Sequence, residues 1–112
     1  MRVDRLAQII EMAKQGKKVK ARVILLKRPI ILKIHPEAQI LEEKEAYILS
    51  ARFEFEVDGE KYTVDRFYAM GFPTETIEEE LANRNLANAR LKEDYRRLKE
   101  AGIEIEEEKY FE

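Results

Sequence analysis

The stretch 47-YILSARFEFEVDGEKYTVDRFYAM-70 decides the fold. Asp58 and Gly59 form a two-residue hairpin turn of the type that needs positive φ, and long alternating runs flank it on both sides. The turn sets the register: Val57 faces Glu60, Phe55 faces Tyr62, Phe53 faces Val64, Ala51 faces Arg66 and Leu49 faces Tyr68. One face of the hairpin is then apolar and aromatic along most of its length. On the other face Glu56 meets Lys61 and Arg52 meets Asp65, opposite-charge pairs that a slipped register would lose. Farther from the turn that second face turns apolar at Ile48, Phe67 and Ala69, so a covering surface is expected there.

Upstream, apolar residues at Val3, Leu6, Ile10 and Ala13 follow the 3.6-residue period of a core-facing helix over residues 4 to 15, with Asp4 as N-cap and Gly16 just past its end. From Val19 to Ile34 the period becomes two. Val19, Ala21, Val23 and Leu25 are odd-numbered while Ile30, Leu32 and Ile34 are even, so the inward face changes parity around Lys27, Arg28 and Pro29. A bulge, or two strands joined by a tight turn, would produce that change, and Pro29 confines the point to an edge, a bulge or a turn. The expectation is a bent or broken edge strand, ended by His35 and Pro36, with a single helical turn able to begin at Pro36.

Downstream, Thr76 and Glu79 form a capping box, Glu78 to Glu80 sit at the positive end of the helix dipole, and Arg96, Arg97 and Lys99 sit at the negative end. A long helix is predicted over 76–101, stopped by Gly102 with a contact between Leu98 and Ile103. Asn83 and Asn85 mark a place where it can kink or break. Ile103 to Glu107 alternates and can return as a short strand.

The fold class is therefore α+β: one domain over residues 1–112, an antiparallel sheet of about four strands with an N-terminal helix and a long C-terminal helix mainly on one face. The predicted order is helix, one or two strands, hairpin, helix, short strand.

Composition narrows the function classes. With 39% charged and 45% hydrophobic residues the chain suits an ordered soluble domain, and its Glu, Lys and Arg content resembles that of heat-stable proteins. No cysteine occurs, which removes disulfides, thiolate nucleophiles and Cys-ligated metal. No apolar run approaches the ~20 residues that cross a bilayer, and the amino terminus lacks an apolar leader, so no membrane partner and a cytoplasmic setting are expected. No phosphate loop, dinucleotide turn, nucleophile elbow or metal-binding helix motif is present. The balance is against an enzyme, and no catalytic residue, metal or cofactor is expected.

Charge is unevenly spread: residues 1–36 carry ten Lys and Arg against two acids, and the remainder carries eleven against twenty-one. Within the basic segment 17–33, Lys18, Lys20, Arg22, Lys27 and Arg28 are candidates for contact with nucleic-acid phosphates, and Lys18, Lys20 and Arg22 alternate onto one strand face. The simpler reading pairs them with the acidic hairpin residues Glu54 and Glu56, or treats them as the lysines that keep sheet edges apart. The acidic helix start at Glu78 to Glu80 would also repel phosphate.

Arg66 interrupts the apolar face of the hairpin between Tyr62 and Tyr68, and these three can form an aromatic hollow for a small anionic ligand or its chemistry. The favoured alternative has Arg66 at the sheet margin, paired with a helix Glu. His35 has no second His or Cys beside it for a metal site and is read as an ordinary turn histidine.

The second apolar surfaces, Ile24, Leu26, Ile48, Phe67 and Leu86, exceed what one two-layer domain buries. Either the C-terminal residues Ile105, Tyr110 and Phe111 fold back over them, or they form the interface of a homodimer. The leading expectation is a small non-catalytic interaction or accessory protein, homodimeric; the alternatives are nucleic-acid binding through 17–33 and ligand binding or catalysis around Arg66.

Overall fold

The computed structural model describes residues 4–34 and 42–112. The expectations for Val3, His35 and a helical turn at Pro36 lie outside the described residues. The chain runs α1 (Arg5–Lys14), β1 (Val19–Ile34), β2 (Glu42–Val57), β3 (Glu60–Gly71), α2 (Ile77–Glu100) and β4 (Glu104–Ile105), with sheet order β3-β2-β1-β4. It is α+β, with a mostly antiparallel sheet. The single parallel pair, β1 with β4, joins Lys20 to Glu104 and Ala21 to Ile105, which the all-antiparallel expectation did not contain.

The turn at Asp58 and Gly59 has φ of 50° and 84°, the doubly left-handed geometry its residues specify. From it the register runs as its pairs require, through Val57–Glu60, Phe55–Tyr62, Phe53–Val64 and Ala51–Arg66, with Arg52 opposite Asp65 and Glu56 opposite Lys61. Then it slips. Ser50 faces Phe67 while Leu49 faces Ala69, so Tyr68 is the extra residue of a bulge and the expected Leu49–Tyr68 pair does not form. The bulge turns both Tyr68 and Ala69 onto the buried face and sends Met70, inward in a regular strand, to the exposed one.

β1 itself is continuous: its register with β2 is unbroken from Val19–Val57 to Ile34–Glu42. The expected break near Pro29 is absent. The apolar residues change parity with no break in the pairing: the helices cover the inner face of the first part of β1 only. Val19, Ala21 and Val23 are buried on the helix side, and farther along Ile30 and Leu32 stand on the opposite face. Pro29 is nonetheless an edge residue. The Ala21 carbonyl accepts from the Glu106 N–H at 2.9 Å, so odd-numbered residues of β1 direct their backbone groups away from β2, and Pro29 has no N–H to present there.

Asp4 caps α1 by accepting from the N–H groups of Leu6 and Ala7 at 3.0 and 3.2 Å. Thr76 caps α2, the Glu79 N–H donating to Thr76 Oγ1 at 3.1 Å; the return bond of the predicted box differs, with Glu79 Oε1 accepting from the Thr76 hydroxyl at 3.2 Å instead of from its backbone N–H. α2 runs unbroken through Asn83 and Asn85. It stops as expected: the Ile103 N–H reaches the Leu98 carbonyl at 3.0 Å and the Gly102 N–H reaches that of Lys99 at 2.9 Å, with Leu98 and Ile103 both buried.

Both helices lie on one face of the sheet. The core joins Leu6, Ile9 and Ile10 of α1 and Leu91, Tyr95 and Leu98 of α2 to Val23, Phe53, Phe55, Val64 and Tyr68 of the strands. The Phe53 ring stacks on Phe55 at 5.9 Å and meets Tyr95 edge-on at 6.1 Å. The first turns of α2 take no part, and its core contacts begin at Ala87. Ile77 and Leu81 are 84% and 44% exposed.

The strands outrun the body. β3 ends with Gly71 opposite Tyr47, so Ile30–Ile34 pairs only with Glu42–Ala46, giving a two-stranded arm, and the molecule measures 55 × 32 × 19 Å.

Candidate functional site

Three groups of residues stand out in the sequence, and the structure gives each a place. Arg66 is bound to α2. Its Nε donates to Asp94 Oδ2 at 2.9 Å and its Nη2 to Oδ1 at 3.2 Å, while the Tyr68 hydroxyl donates to Oδ2 at 2.7 Å. Asp94 is 3% exposed and holds the place an anionic ligand would take between Arg66 and Tyr68. Arg97 lies 3.6 Å from Asp94 and 3.6 Å from Asp4, and Arg66 lies 3.9 Å from Asp4. Two acids and two arginines thus tie α1, β3 and α2 together. Tyr62 belongs elsewhere, its hydroxyl donating to Glu60 at 2.7 Å.

The shifts follow from these contacts. Partial burial pushes the Asp4 carboxyl up, but the Ala7 N–H, Arg66, Arg97 and the Leu6 N–H together outweigh it and hold the group below its ordinary 3.8. Burial first, then the bond to Asp94, drives the Tyr68 phenol well above its usual range. A structural acid–arginine knot explains every polar atom here, and Asp94 is its member that sequence reading missed. Its signal was present, since Asp94 falls on the apolar stripe Leu91, Tyr95 and Leu98.

The basic residues of β1 are met by acids. Lys20 stands opposite Glu56 and Arg22 opposite Glu54 on the face away from the helices. A shallow groove of about 380 Å³ there is lined by Lys20, Arg22 and Lys61 together with Glu54, Glu56, Glu104 and Glu106, three cations among four acids. Lys18 borders Glu56 and Asp58. Lys27 instead points to the helix side, its ammonium 4.6 Å from the centre of the Tyr47 ring, and Arg28 lies exposed on the outer face opposite Ile48. The five candidates are therefore split between two faces, and those nearest the turn sit among carboxylates.

The apolar candidates divide in the same way. Ile24, Leu26, Ile48 and Phe67 share the outer face of the sheet; Leu86 is on α2, on the far side of the molecule, so it does not join them. Read across the strands, the outer face has two halves. Near the turn it carries Lys20–Glu56–Lys61, Arg22–Glu54–Thr63 and Ile24–Arg52–Asp65. Farther along it carries Leu26–Ser50–Phe67, Arg28–Ile48–Met70, Ile30–Ala46 and Leu32–Lys44. Phe67 is 60% exposed and Met70 38%. Met70 was hidden from sequence reading by the bulge. Phe72 extends the apolar half, with the Lys44 ammonium 4.9 Å from its ring centre.

The C-terminal tail does fold back, but onto the helix side. Asn88 donates to the Phe111 carbonyl at 2.9 Å and accepts its N–H at 2.7 Å; the Tyr95 hydroxyl donates to the Lys109 carbonyl at 2.7 Å, and Tyr110 meets the Tyr95 ring edge-on at 5.6 Å. Phe111 lies near Tyr47, Leu49 and Arg84. Among the described residues, no helix or tail segment covers the apolar half of the outer face.

Among the described residues no helix is long and apolar enough to cross a membrane, and no group of three or more His, Asp or Glu is arranged to hold a metal ion. No family model, curated protein or solved structure matches the chain.

Proposed function

We propose that this chain is a non-catalytic interaction protein that assembles as a homodimer through the outer face of its sheet. The observation that carries the reading is the apolar half of that face, where Phe67 and Met70 stand exposed beside the half-buried Leu26 and Ile48 while, among the described residues, both helices and the tail lie on the opposite side. Burying a Phe or Met side chain is worth about 1.5–3 kcal/mol relative to leaving it in water, so this patch favours a partner.

A second copy suits it because the face carries its own partner's chemistry. Near the turn its cations stand opposite acids in the strand register, and farther along its rows are mainly apolar, with Arg28 and Lys44 among them. The free edge of β1 is a poorer docking place, since Pro29 offers no N–H there. Association by the face, as in a sandwich of two sheets, follows from that.

Light scattering on a sizing column tests it. The expected result is a species of twice the chain mass at high micromolar concentration, and a single chain mass throughout that range removes the homodimer.

A further inference from the structure

We propose that the free edge of β3 pairs with the same edge of a second copy, antiparallel and centred on Thr63, so that two four-stranded sheets become one of eight strands. This contact is independent of the outer face: its two-fold axis stands perpendicular to the sheet, and the outer faces of both copies stay open on one side.

β3 is the outermost strand of the sheet, and unlike β1 it carries no proline. Val57 and Glu60 flank the two-residue turn as a hydrogen-bonded pair, so Glu60, Tyr62, Val64 and Arg66 direct their backbone groups to β2. Lys61, Thr63, Asp65 and Phe67 direct theirs outward, where, among the described residues, no backbone group meets them. The open stretch ends at Tyr68, whose carbonyl accepts from Arg90 Nη1 at 2.6 Å.

The sequence 60-EKYTVDR-66 is antisymmetric in charge about Thr63. Turned on itself, it sets Lys61 opposite the partner's Asp65, Glu60 opposite the partner's Arg66, Tyr62 opposite the partner's Val64 and Thr63 opposite the partner's Thr63. Neighbouring registers lose this match. Centring on Lys61 or Asp65 sets like charge on like, and centring on Tyr62 or Val64 puts Lys61 opposite Thr63 or Phe67. The same register continues the rows of each sheet. On the outer face, Lys20–Glu56–Lys61 runs on into the partner's Asp65 and the partner's Arg52, alternating in sign at every step. On the inner face, Phe55–Tyr62 runs on into the partner's Val64 and the partner's Phe53.

The helices leave room for the junction. Two of them cover four strands, one for every two, and two strand spacings are about 9.6 Å, within the 8–10 Å at which helices pack. An open groove of about 480 Å³ lies between α1 and β3, lined by Gln8, Met12, Tyr62 and Val64 among others. The partner's α1 closes it.

The ladder spans only Glu60 to Arg66 and buries less side chain than a sheet face, so it is the weaker of the two contacts and is read by trapping. The chain has no native cysteine. In a glutathione redox buffer, Thr63→Cys sets two thiols on facing residues whose Cα atoms lie about 5.5 Å apart, within disulfide reach. It is expected to form the linked pair at least about tenfold faster than Leu86→Cys, which reports random collision. Lys61→Cys alone, about 13 Å from its copy, is expected to stay at that background, while an equal mixture of Lys61→Cys and Asp65→Cys forms the mixed disulfide. Amide exchange by NMR on the unaltered chain reads the same ladder. Protection at Lys61, Thr63 and Asp65 is expected to rise with protein concentration, whereas Glu60, Tyr62 and Val64, already bonded to β2, do not change. Trapping at Thr63 no faster than at Leu86, or protection without this alternation, overturns the edge pairing and leaves the outer-face dimer standing. Trapping at Thr63 in a chain that light scattering finds single supports the edge contact and removes the outer-face dimer.

Discussion

Arg66 on β3 and Asp94 on α2 are joined by two parallel hydrogen bonds, from Nε to Oδ2 at 2.9 Å and from Nη2 to Oδ1 at 3.2 Å. The same carboxylate accepts from the Tyr68 hydroxyl, so one buried acid serves a cation and a phenol. Replacing Asp94→Ala leaves both donors short of a partner. The expected loss is roughly 2–3 kcal/mol in urea unfolding, below the 3–5 kcal/mol of a fully buried pair because Arg66 keeps part of its surface in water. Arg66→Ala should cost less than Asp94→Ala, and the double variant should cost clearly less than the sum of the two. Additive losses would show that the pair is not coupled.

Asp4 links the acid end of the stability curve to the same knot. Its carboxyl is held below 3.8 in the folded protein, so its contribution is fully present above that pH and is lost as the pH falls through the lower folded value. Asp4→Asn keeps a capping oxygen while removing the charge. The stability difference between wild type and Asp4→Asn should be constant from neutral pH to about 5 and shrink below 3.8 as Asp4 protonates. A difference that persists unchanged at the acid limit would place the effect in packing.

Gly71 ends β3 against the face of Tyr47, where an added Cβ would lie 2.7 Å from Cε1 and closer still to Cζ and the hydroxyl oxygen. Gly71→Ala is expected to destabilise by about 1–3 kcal/mol through this collision. Since φ at Gly71 is not positive, the whole cost passes through the ring, and adding Tyr47→Leu should recover part of it. No recovery in thermal unfolding would point to a backbone cause.

Lys18, Lys20 and Arg22 sit beside Glu54, Glu56 and Asp58, and their field is largely cancelled at short range. The chain is expected to pass heparin without retention at low salt. Retention that disappears when the three are changed together to Ala would establish a phosphate-binding strand instead.

The sequence revealed most where a local rule left one choice. Asp58–Gly59 admits one hairpin turn, and its cross-strand charge pairs fix the register as far as Ala51–Arg66. Thr76–Glu79 and Leu98–Gly102–Ile103 bounded α2 for the same reason. Two features escaped because they are not local. The bulge at Tyr68 brings Ala69 onto the buried face beside it and turns Met70 outward, and no pattern within β3 announces the extra residue. The parity change in β1 looked like a break because alternation was assumed to track one buried face, whereas the pairing runs unbroken from a region covered on one side into the two-stranded arm. The apolar half of the outer face was visible as Ile24, Leu26, Ile48 and Phe67; Leu86 was grouped with them because exposure alone does not say which side of a molecule a helix occupies.

The central claim is self-association through that outer face, and sedimentation equilibrium of three proteins tests it most directly. Wild type is compared with Phe67→Glu, on the proposed interface, and with Leu86→Glu, equally apolar in sequence but on the opposite side. The account predicts that Phe67→Glu weakens the dimer at least about thirtyfold, the equivalent of a 2 kcal/mol hot spot, while Leu86→Glu stays within about twofold of wild type. A folded Phe67→Glu that dimerises as wild type does, or a dimer lost with Leu86→Glu instead, would contradict it.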